Sequence, residues 1–367
     1  MEGIDHHVDE MQRGQADIWQ VMYSHMDSLV LKCAVELRIA DIIHSHGCPV
    51  TLSQIASSIS GSTSPNIHYL ERILRLLVCK KIFTAHRDDH DSSSGDHPHH
   101  HQTRYGLTEK SRWILWESEP SLAPVIMMQN RRLVIDAFDH LSDSVRHGVV
   151  PYKAAFGHDF VGESTVDPKS KKWFKDGMIN LANMVMDPVL SALKNEFSCM
   201  GSLIDVGGFT GETIYEIVKA HPHIKGFNFD LPDIIAMAPS YDGVTHVAGD
   251  MFEAIPCADA IFMKKVLNNW TDEQCIKILR NCRQSIPEKT GKVIIVDIVL
   301  ESLESNDVVF LYDEMRIRFD LGLLAFRGVG RERTELEWKK LLEEAGFPRN
   351  KIIRIPAMPS IIEAYPV

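Results

Sequence analysis

Short apolar runs alternate with helix-forming segments from residue 202 to the end of the chain. The apolar runs read SLIDVGG, GFNFDLP, ADAIFMKKVL and KVIIVDIVL, and the segments between them include ETIYEIVKAHP and DEQCIKILRNCRQSI. Strands that are apolar on both faces and separated by helices pair in parallel, because each crossover returns the chain to the same end of the sheet. This alternation predicts a doubly wound, Rossmann-like α/β domain that binds its ligands beyond the carboxyl ends of the strands.

Composition narrows the class of protein further. The net charge of −11 argues against a nucleic-acid partner, because binding to phosphates requires clustered cations. The amino-terminal residues are acidic and lack the apolar core of a signal peptide, and no run approaches ~18 apolar residues, the length that spans a membrane. Seven cysteines without a CxxC pair fit a reducing compartment. We therefore predict a cytoplasmic protein without a membrane segment.

The first third of the chain has a different pattern. Residues 16–46 carry apolar side chains at helical spacing, among them Leu29, Cys33 and Leu37, with few charges on any face. Two amphipathic helices and a β-hairpin (KIFTA and TRYGLT) follow, which is the order of a winged-helix unit. Since the acidic balance argues against DNA, we predict a mostly helical, winged-helix-like dimerisation domain over residues 1–118, with its first helix covered by a partner or by its own domain.

Residues 119–367 are expected to form the ligand-binding domain, and its helical first part, 119–195, is rich in methionine. Methionines at helical spacing are more often core than pocket residues. The histidine-rich loop HRDDHDSSSGDHPHHHQ lacks fixed ligand spacing, so we predict a solvated loop there and no metal site.

The strongest local motif is LIDVGGFTGET, in which a strand ends near Asp205 and a turn with Gly207 leads into a helix. Glycine lets the backbone approach a ligand, and the helix start offers unpaired N–H groups. Acidic residues also end the next two strands, Asp230 in GFNFDLP and Asp250 before Met251 in HVAGDMF, where carboxylates can accept hydrogen bonds from a nucleoside. Each acid alone also fits a cap or a turn, and these residues leave nicotinamide and S-adenosylmethionine cofactors both open.

The segment FMKKVLNNWTDEQ carries polar residues to the end of the fourth strand, and its TDEQ end has the form of a helix capping box. Lys264 and Asn268 lie at this end, Asp297 ends the fifth strand, and Glu332 lies in GVGRERTELEW. Together these side chains can position a substrate. Glu332, which stands between two arginines, also fits a surface salt bridge.

The blocks DVGG-x-TG, FDLP, GDMF, MK-x-x-L-x-x-W, GKVIIVDIVL, G-x-ERT-x-x-EW and IIEAYP, in this order, resemble those of the plant S-adenosylmethionine-dependent O-methyltransferases. The caffeate and isoflavone enzymes belong to that family, and this chain is most similar to its benzylisoquinoline-alkaloid branch, that of norcoclaurine O-methyltransferase. The resemblance covers nearly the whole chain. It implies S-adenosylmethionine as cofactor, a small phenolic or alkaloid substrate, and a homodimer whose amino-terminal region helps to close the partner's active site.

The resemblance also implies roles for single residues. Cofactor binding falls to Asp205, Gly207, Asp230, Leu231, Asp250, Met251 and Lys264. The substrate pocket would be lined by Met127, Met128 and Met178, and Asp297 and Glu332 would flank the catalytic base.

Three positions depart from the family pattern. The glycine turn of the family has a third glycine where this chain has Phe209, and phenylalanine is costly if that position needs a positive φ. The catalytic histidine of the family's L-H-D-W block is replaced here by Asn268, and the aspartate after it by Asn269. Asparagine cannot accept a proton, so the chain lacks the family's general base.

Three interpretations remain open. In the first, the chain is a working O-methyltransferase, because alignment of the reactants contributes roughly 7–11 kcal/mol and a general base only about 10²–10⁴-fold in rate. Asn268 then orients the phenol, and Asp297 or Glu332 can take the proton. In the second, a weakly active or inactive chain serves as one subunit of a heterodimer with a homologous methyltransferase. In the third, the same pocket performs N-methylation, a non-methylating reaction or NAD chemistry.

Overall fold

The computed structural model describes residues 10–61, 63–87, 103–160, 168–301 and 312–367. Residues 88–102, which hold most of the histidine-rich loop, lie outside this described part, so the predictions for that loop stay predictions. The chain divides into two compact units. The first consists of Met1–Val134 and Glu163–Leu181, and the second of Ile135–Gly162 and Ala182–Val367.

The first unit begins with helices and a small sheet. In chain order its elements are α1 (Glu10–Glu36), α2 (Ile39–His46), β1 (Val50–Thr51), α3 (Leu52–Ser58), α4 (Ile67–Cys79), β2 (Phe83–Arg87), β3 (Thr103–Leu107), α5 (Glu109–Arg112) and α6 (Ala123–Gln129). The strands form an antiparallel sheet in the order β1-β3-β2. The succession of α3, α4 and the β2–β3 hairpin is the predicted winged-helix order.

The helices of the first unit pack around one apolar core. Ile39 of α2, Leu74 of α4 and Phe83 of β2 are buried together in it. Thr51 caps α3 by accepting a hydrogen bond from Gln54 N–H, and the Gln54 side chain bonds back to Thr51 N–H. The amphipathic stripes read from the sequence therefore face a core within this unit.

A helical stretch connects the small sheet to the large one. It contains α7 (Arg132–Phe138), α8 (Leu141–His147), α9 (Pro151–Phe156), α10 (Pro168–Ala192) and α11 (Lys194–Ser198). The boundaries between the two units fall inside α7 and α10.

The second unit is built on one large sheet. Its remaining elements are β4 (Ser202–Val206), α12 (Glu212–Ala220), β5 (Lys225–Asp230), α13 (Pro232–Ile235), β6 (Val244–Ala248), β7 (Ala260–Lys264), α14 (Asp272–Gln284), β8 (Lys292–Asp297), β9 (Val299–Leu300), α15 (Asp313–Phe326), β10 (Arg333–Thr334), α16 (Glu335–Glu344), β11 (Arg349–Arg354) and β12 (Ser360–Tyr365). The sheet has seven strands in the order β11-β12-β8-β7-β4-β5-β6. Strands β4 to β8 pair in parallel, which confirms the predicted doubly wound fold.

The strand order reverses at β4. The chain runs outward from β4 to β5 and β6 and then returns to place β7 on the other side of β4. Side chains at the carboxyl ends of β4 and β7 therefore face the crevice where doubly wound sheets bind ligands. An antiparallel hairpin, β11 and β12, completes the sheet beside β8 and had no counterpart among the sequence predictions.

Candidate active site

The glycine turn after β4 is packed tightly against its surroundings. Gly207 has a φ of 70°, and a Cβ atom at this residue would lie 2.9 Å from Val266 Cγ2. A Cβ at Gly208 would lie 2.3 Å from Asn228 Oδ1 and 2.7 Å from Asp205 Oδ2. Neither position has room for a side chain, so the turn brings bare backbone to the switch point, against the segment that follows β7.

Phe209 adopts the conformation that glycine would favour. Its φ is 53°, in the left-handed region. Two hydrogen bonds hold this backbone: Phe209 N–H donates to Asp230 Oδ2 at 2.8 Å, and Asn228 Nδ2 donates to the Phe209 carbonyl at 2.9 Å. The side chain is 60 % exposed, so little burial of the ring offsets the backbone cost.

The acids at the ends of β5 and β6 accept hydrogen bonds from backbone N–H groups of nearby turns. Asp230 Oδ1 accepts a hydrogen bond from the N–H of half-exposed Leu231 at 2.8 Å, in addition to the bond from Phe209. Asp250 Oδ1 accepts one from Phe252 N–H at 2.8 Å. Met251 is partly buried against the core of the second unit. Both acids thus act as turn residues, yet an ionised carboxylate has about four acceptor sites, so capacity for a ligand remains.

Asp205 is different because it is almost fully buried. Among the described residues its Oδ2 atom has no hydrogen-bond partner. Burial raises the pKa of Asp205 to about 7, with Asp230 adding to the effect and Lys264 opposing it. Burial lowers the pKa of Lys264, and Asp205 opposes that shift. The switch point therefore holds a buried carboxylate with an open oxygen and a lysine next to it.

The segment after β7 turns sharply before α14. Lys265 has a φ of 57° and donates its N–H to the Val296 carbonyl at 3.0 Å, and residues 267–269 form one 3-10 turn. Buried Arg333 stabilises this turn by donating to the Leu267 carbonyl at 3.2 Å and the Trp270 carbonyl at 2.9 Å. The predicted capping box at the start of α14 is confirmed.

Asn268 is fixed at both ends of its amide. Its Nδ2 donates to Glu332 Oε1 at 3.1 Å, and its Oδ1 accepts from Asn269 Nδ2 at 3.1 Å. Asn269 Nδ2 also donates to the carbonyls of Lys265, at 2.9 Å, and Val266, at 3.2 Å. The pair of asparagines therefore ties the turn to the Glu332 carboxylate.

Lys265 joins the two carboxylates predicted to flank the base. Its Nζ donates to Glu332 Oε1 at 2.7 Å and to Asp297 Oδ1 at 3.3 Å. Both acids are buried, and among the described residues each keeps one oxygen, Oε2 of Glu332 and Oδ2 of Asp297, without a partner. Burial, followed by the charge of Asp297, raises the pKa of Glu332 to about 7, whereas Lys265 and the hydrogen bond from Asn268 act to lower it.

The surface salt bridge considered for Glu332 does not form. Arg331 and Arg333 bond instead to Asp272 at the start of α14, at 2.8 Å and 2.9 Å. Sequence reasoning also missed Lys265, since the strand ends in two successive lysines and only Lys264 was selected. The left-handed backbone at Lys265 is not readable from the local pattern, because lysine gives no signal for it.

The methionines predicted to line the substrate pocket belong to the first unit. Met127 and Met128 on α6 are buried, whereas Met178 on α10 is half exposed. A Cβ at Gly177 would lie 3.1 Å from Met128 Sδ, so α10 packs closely on α6 there. The pocket role of these residues stays a prediction.

The described residues hold neither a metal-ligand cluster nor a membrane-spanning helix. In these ranges no group of three or more histidine, cysteine, aspartate or glutamate side chains is arranged to hold a metal ion. None of the helices they form is both long and apolar enough to cross a membrane.

Comparison with known proteins matches both parts of the chain. An O-methyltransferase domain matches residues 138–348, and an O-methyltransferase dimerisation domain matches residues 19–117. Desmethylxanthohumol 6'-O-methyltransferase of Humulus lupulus is 49 % identical over 362 residues, which cover 97 % of this chain and 99 % of the relative. (R,S)-reticuline 7-O-methyltransferase of Papaver somniferum is 45 % identical over 363 residues, covering 98 % and 99 %.

A solved structure shows the same fold. CalO1, a methyltransferase of calicheamicin biosynthesis in its SAH-bound form, superposes with a TM-score of 0.80 at 22 % identity and covers 98 % of this chain and 100 % of its own.

The fold and its site thus define a Rossmann-like methyltransferase that carries an amino-terminal dimerisation domain. More particularly, the chain belongs to the plant O-methyltransferase family. The predicted family, the enzyme class and the S-adenosylmethionine cofactor are confirmed. The dimerisation domain supports assembly into an oligomer.

Proposed function

We propose that this chain transfers the methyl group of S-adenosylmethionine to a phenolic hydroxyl of a small aromatic metabolite of the benzylisoquinoline-alkaloid type. The observation that supports this most is the end-to-end similarity to an O-methyltransferase named for reticuline. A second substrate class, the prenylated phenols, is favoured by the 49 % identity to the desmethylxanthohumol enzyme. Both are phenols, so the chemistry required of the site is the same.

The residues at the carboxyl edge of the sheet fit the cofactor. Open acceptor capacity on Asp205, Asp230 and Asp250 suits the amino group and hydroxyls of a nucleoside amino acid. Asp205 and Gly207 would hold the methionine part, Asp230 and Leu231 the ribose, Asp250 and Met251 the adenine, and Lys264 the polar end. When bound, the cofactor supplies an electrophilic methyl group on a sulfonium.

The chain's own residues would align the acceptor without a histidine. Asn268 uses one amide N–H to hold Glu332 and keeps a second N–H for the acceptor oxygen. Glu332 lies beside it, and Lys265 links Glu332 to Asp297. Alignment then provides most of the rate, because proximity contributes roughly 7–11 kcal/mol and a base about 3–5 kcal/mol.

The loss of the base also favours a second candidate function. A chain that binds the cofactor but turns over slowly can serve as the partner of a homologous methyltransferase, with the dimerisation domain as the link. The homodimer and this heterodimer are both compatible with that domain.

A screen with labelled donor tests the proposal. Purified protein is incubated with catechol-bearing alkaloids, prenylated chalcones and simple phenols, alone and with a homologous methyltransferase, while calorimetry measures binding of S-adenosylhomocysteine. We expect binding and a methylated alkaloid from the protein alone, and loss of both in Asp230→Ala. Binding without product, together with faster turnover of the added homologue, would favour the partner-subunit function. A protein that does not bind S-adenosylhomocysteine would refute both.

A further inference from the structure

Two lysines of this chain each sit between two acids, and they differ in exposure. Lys292 bonds to Glu196 and to Glu363, the latter at 3.0 Å, and only 9 % of its side chain is exposed. Lys265 bonds to Asp297 and Glu332, yet 34 % of its side chain is exposed. Lys292 is thus buried beside one buried and one half-exposed acid, whereas Lys265 stays partly exposed although both of its acids are buried. The exposure of Lys265 therefore indicates a further role.

The Lys265 ammonium has one N–H group that its two carboxylate partners do not use. Two of its three N–H groups are used by the carboxylates, and among the described residues no third hydrogen-bond acceptor is present; the Phe319 ring lies 6.0 Å away. The left-handed backbone at Lys265 places the ammonium on the Glu332 oxygen to which Asn268 also donates. Strained backbone of this kind concentrates at functional sites.

We propose that Lys265 is a catalytic residue that binds the ionised oxygen of the phenol and so supplies by charge the activation that Asn268 cannot supply as a base. The inference rests on the proposed function, since it requires a phenol beside Asn268. A cation near a weak acid favours the charged form of that acid, typically by one to three pKa units at about 4–6 Å.

The chemical step balances without a side-chain base. The phenol O–H bond breaks, the proton leaves to water, and the oxygen keeps the electron pair while it faces the Lys265 ammonium. That oxygen then forms the bond to the methyl carbon as the carbon–sulfur bond breaks, and the electron pair of the broken bond goes to sulfur. The products are the methyl ether, S-adenosylhomocysteine and the released proton.

The charges around Lys265 determine the size of the effect. Asp297 and Glu332 face it directly, Lys264 precedes it on the strand, Asp320 accepts the Glu332 N–H at 2.7 Å, and the Phe319 ring lies 6.0 Å away. Burial would lower the pKa of Lys265, but Asp297 and Glu332 raise it above its ordinary value, so the ammonium persists at neutral pH. The two acids also weaken its field at the phenol, which limits the expected shift to about one to two units.

Binding of 4-nitrocatechol measures this effect directly, because its phenolate absorbs visible light. The probe is titrated with pH when free and when bound to the dimeric protein in the presence of S-adenosylhomocysteine. We expect the bound phenol to ionise about one to two pH units lower than the free one. The shift should vanish in Lys265→Met and persist in Lys265→Arg. Lys292→Met is the matched control: it removes the lysine of the other acid pair and should lower the melting temperature without changing the shift.

The outcomes separate this inference from the proposed function. A bound probe whose ionisation is unshifted in the parent, or equally shifted in Lys265→Met, would overturn the role of Lys265 and leave the methyltransferase assignment standing. A parent that binds S-adenosylhomocysteine but not the probe would overturn both. If Lys265→Met does not fold, Lys265→Gln decides in its place, because glutamine keeps a hydrogen bond to Glu332 but carries no charge.

Discussion

Asn268 acts in this chain as a neutral hydrogen-bond donor and not as a base. Its amide is held between Glu332 and Asn269. The backbone packs tightly here as well, because a Cβ at Gly330 would lie 2.4 Å from the Asn268 carbonyl oxygen. A neutral side chain next to the buried Glu332 carboxylate avoids placing another charge there. The substitution therefore suits a site whose charge is already set by Lys265.

Restoring the histidine alone should restore a base. We expect Asn268→His to raise kcat at pH 7 by roughly 10–10³-fold, because a general base is typically worth 10²–10⁴-fold and the surroundings no longer match it fully. Steady-state kinetics with the best phenol of the screen measure the gain. Asn269→Asp is the control and should lower stability, because its carboxylate would replace the amide that donates to the Lys265 and Val266 carbonyls. No gain from Asn268→His with cofactor binding intact would mean that no phenol reaches this residue.

The left-handed backbone at Phe209 should lower the free energy of unfolding by a measurable amount. Phe209→Gly is expected to increase the free energy of unfolding by about 0.5–1 kcal/mol, since relief of a left-handed conformation outweighs the added entropy of the unfolded chain. Phe209→Val should decrease it, because β-branched residues fit a positive φ still less well. Lys81→Gly, at a φ of 58° in the first unit, is the control for the backbone term. Denaturant unfolding of the three variants decides, and equal stability of the glycine and valine variants would contradict the assignment.

Asp205 should make cofactor binding depend on pH. Burial raises its pKa to about 7, so below that value the carboxyl is protonated and must lose its proton to pair with the amino group of the ligand. A raised pKa means that the proton-bound form is favoured as pH falls, so affinity should drop with falling pH. We expect the affinity for S-adenosylhomocysteine to rise about tenfold per pH unit up to about pH 7 and then level off.

Calorimetry between about pH 5.5 and 8 measures this dependence. The profile should be nearly flat in Asp205→Asn and unchanged in the control Asp233→Asn, which alters a residue of α13 outside the proposed contacts. A steep profile that survives Asp205→Asn would assign the proton to another group.

At the scale of single elements, α1 combines two environments. Its last turns carry the buried residues Ala34 and Val35, and Leu37 just beyond it packs on the same core. Its earlier turns expose apolar side chains, among them Ile18, Trp19, Val21, Met22 and Leu29. An exposed apolar face of this length is typical of a surface that another chain covers. Cys33 lies between the two environments and is partly buried.

Charges on the exposed face of α1 should separate the subunits. We expect the double substitution of Ile18 and Val21, which are 69 % and 70 % exposed, by aspartate to convert an oligomer into a monomer that stays folded. Sedimentation velocity measures the change. Leu336→Asp, on the exposed side of α16, is the control and should leave assembly intact. Deleting residues 1–45 would be a poorer test, because it removes core residues such as Ile39 of α2. An unchanged oligomer would place the interface elsewhere.

The elements predicted best from sequence are those with local signals. Strands β4, β5, β7 and β8 were readable as apolar runs, and the start of α14 as a capping box, because their signals lie within a few residues. The contacts that hold the site were not readable. Arg333 reaches the Leu267 carbonyl across 66 residues of chain, and Lys265 reaches Glu332 across 67. Such pairs form only because the sheet brings distant segments together, so no local sequence pattern predicts them.

In the molecule as a whole, the second unit buries one group of charges at the carboxyl edge of the sheet, apart from the buried Lys292–Glu363 pair. Asp205, Asp297 and Glu332 are all buried there, and Lys264 and Lys265 lie among them. Burying charge is costly unless it is paired, and all three acids keep an unpaired oxygen among the described residues. We infer that bound ligands pair with these carboxylate oxygens and offset the cost of burying them.

We expect ionisation of the substrate, and not proton transfer to a side chain, to limit methyl transfer. The most direct test is the pH profile of kcat for two phenols of different acidity, measured on the same enzyme and with each phenol's own pKa known. We expect two inflections, separated by the difference between the two phenol pKa values, each displaced below the free value by the same amount. A common inflection for both phenols would show that one side chain of the enzyme takes the proton and would contradict the claim.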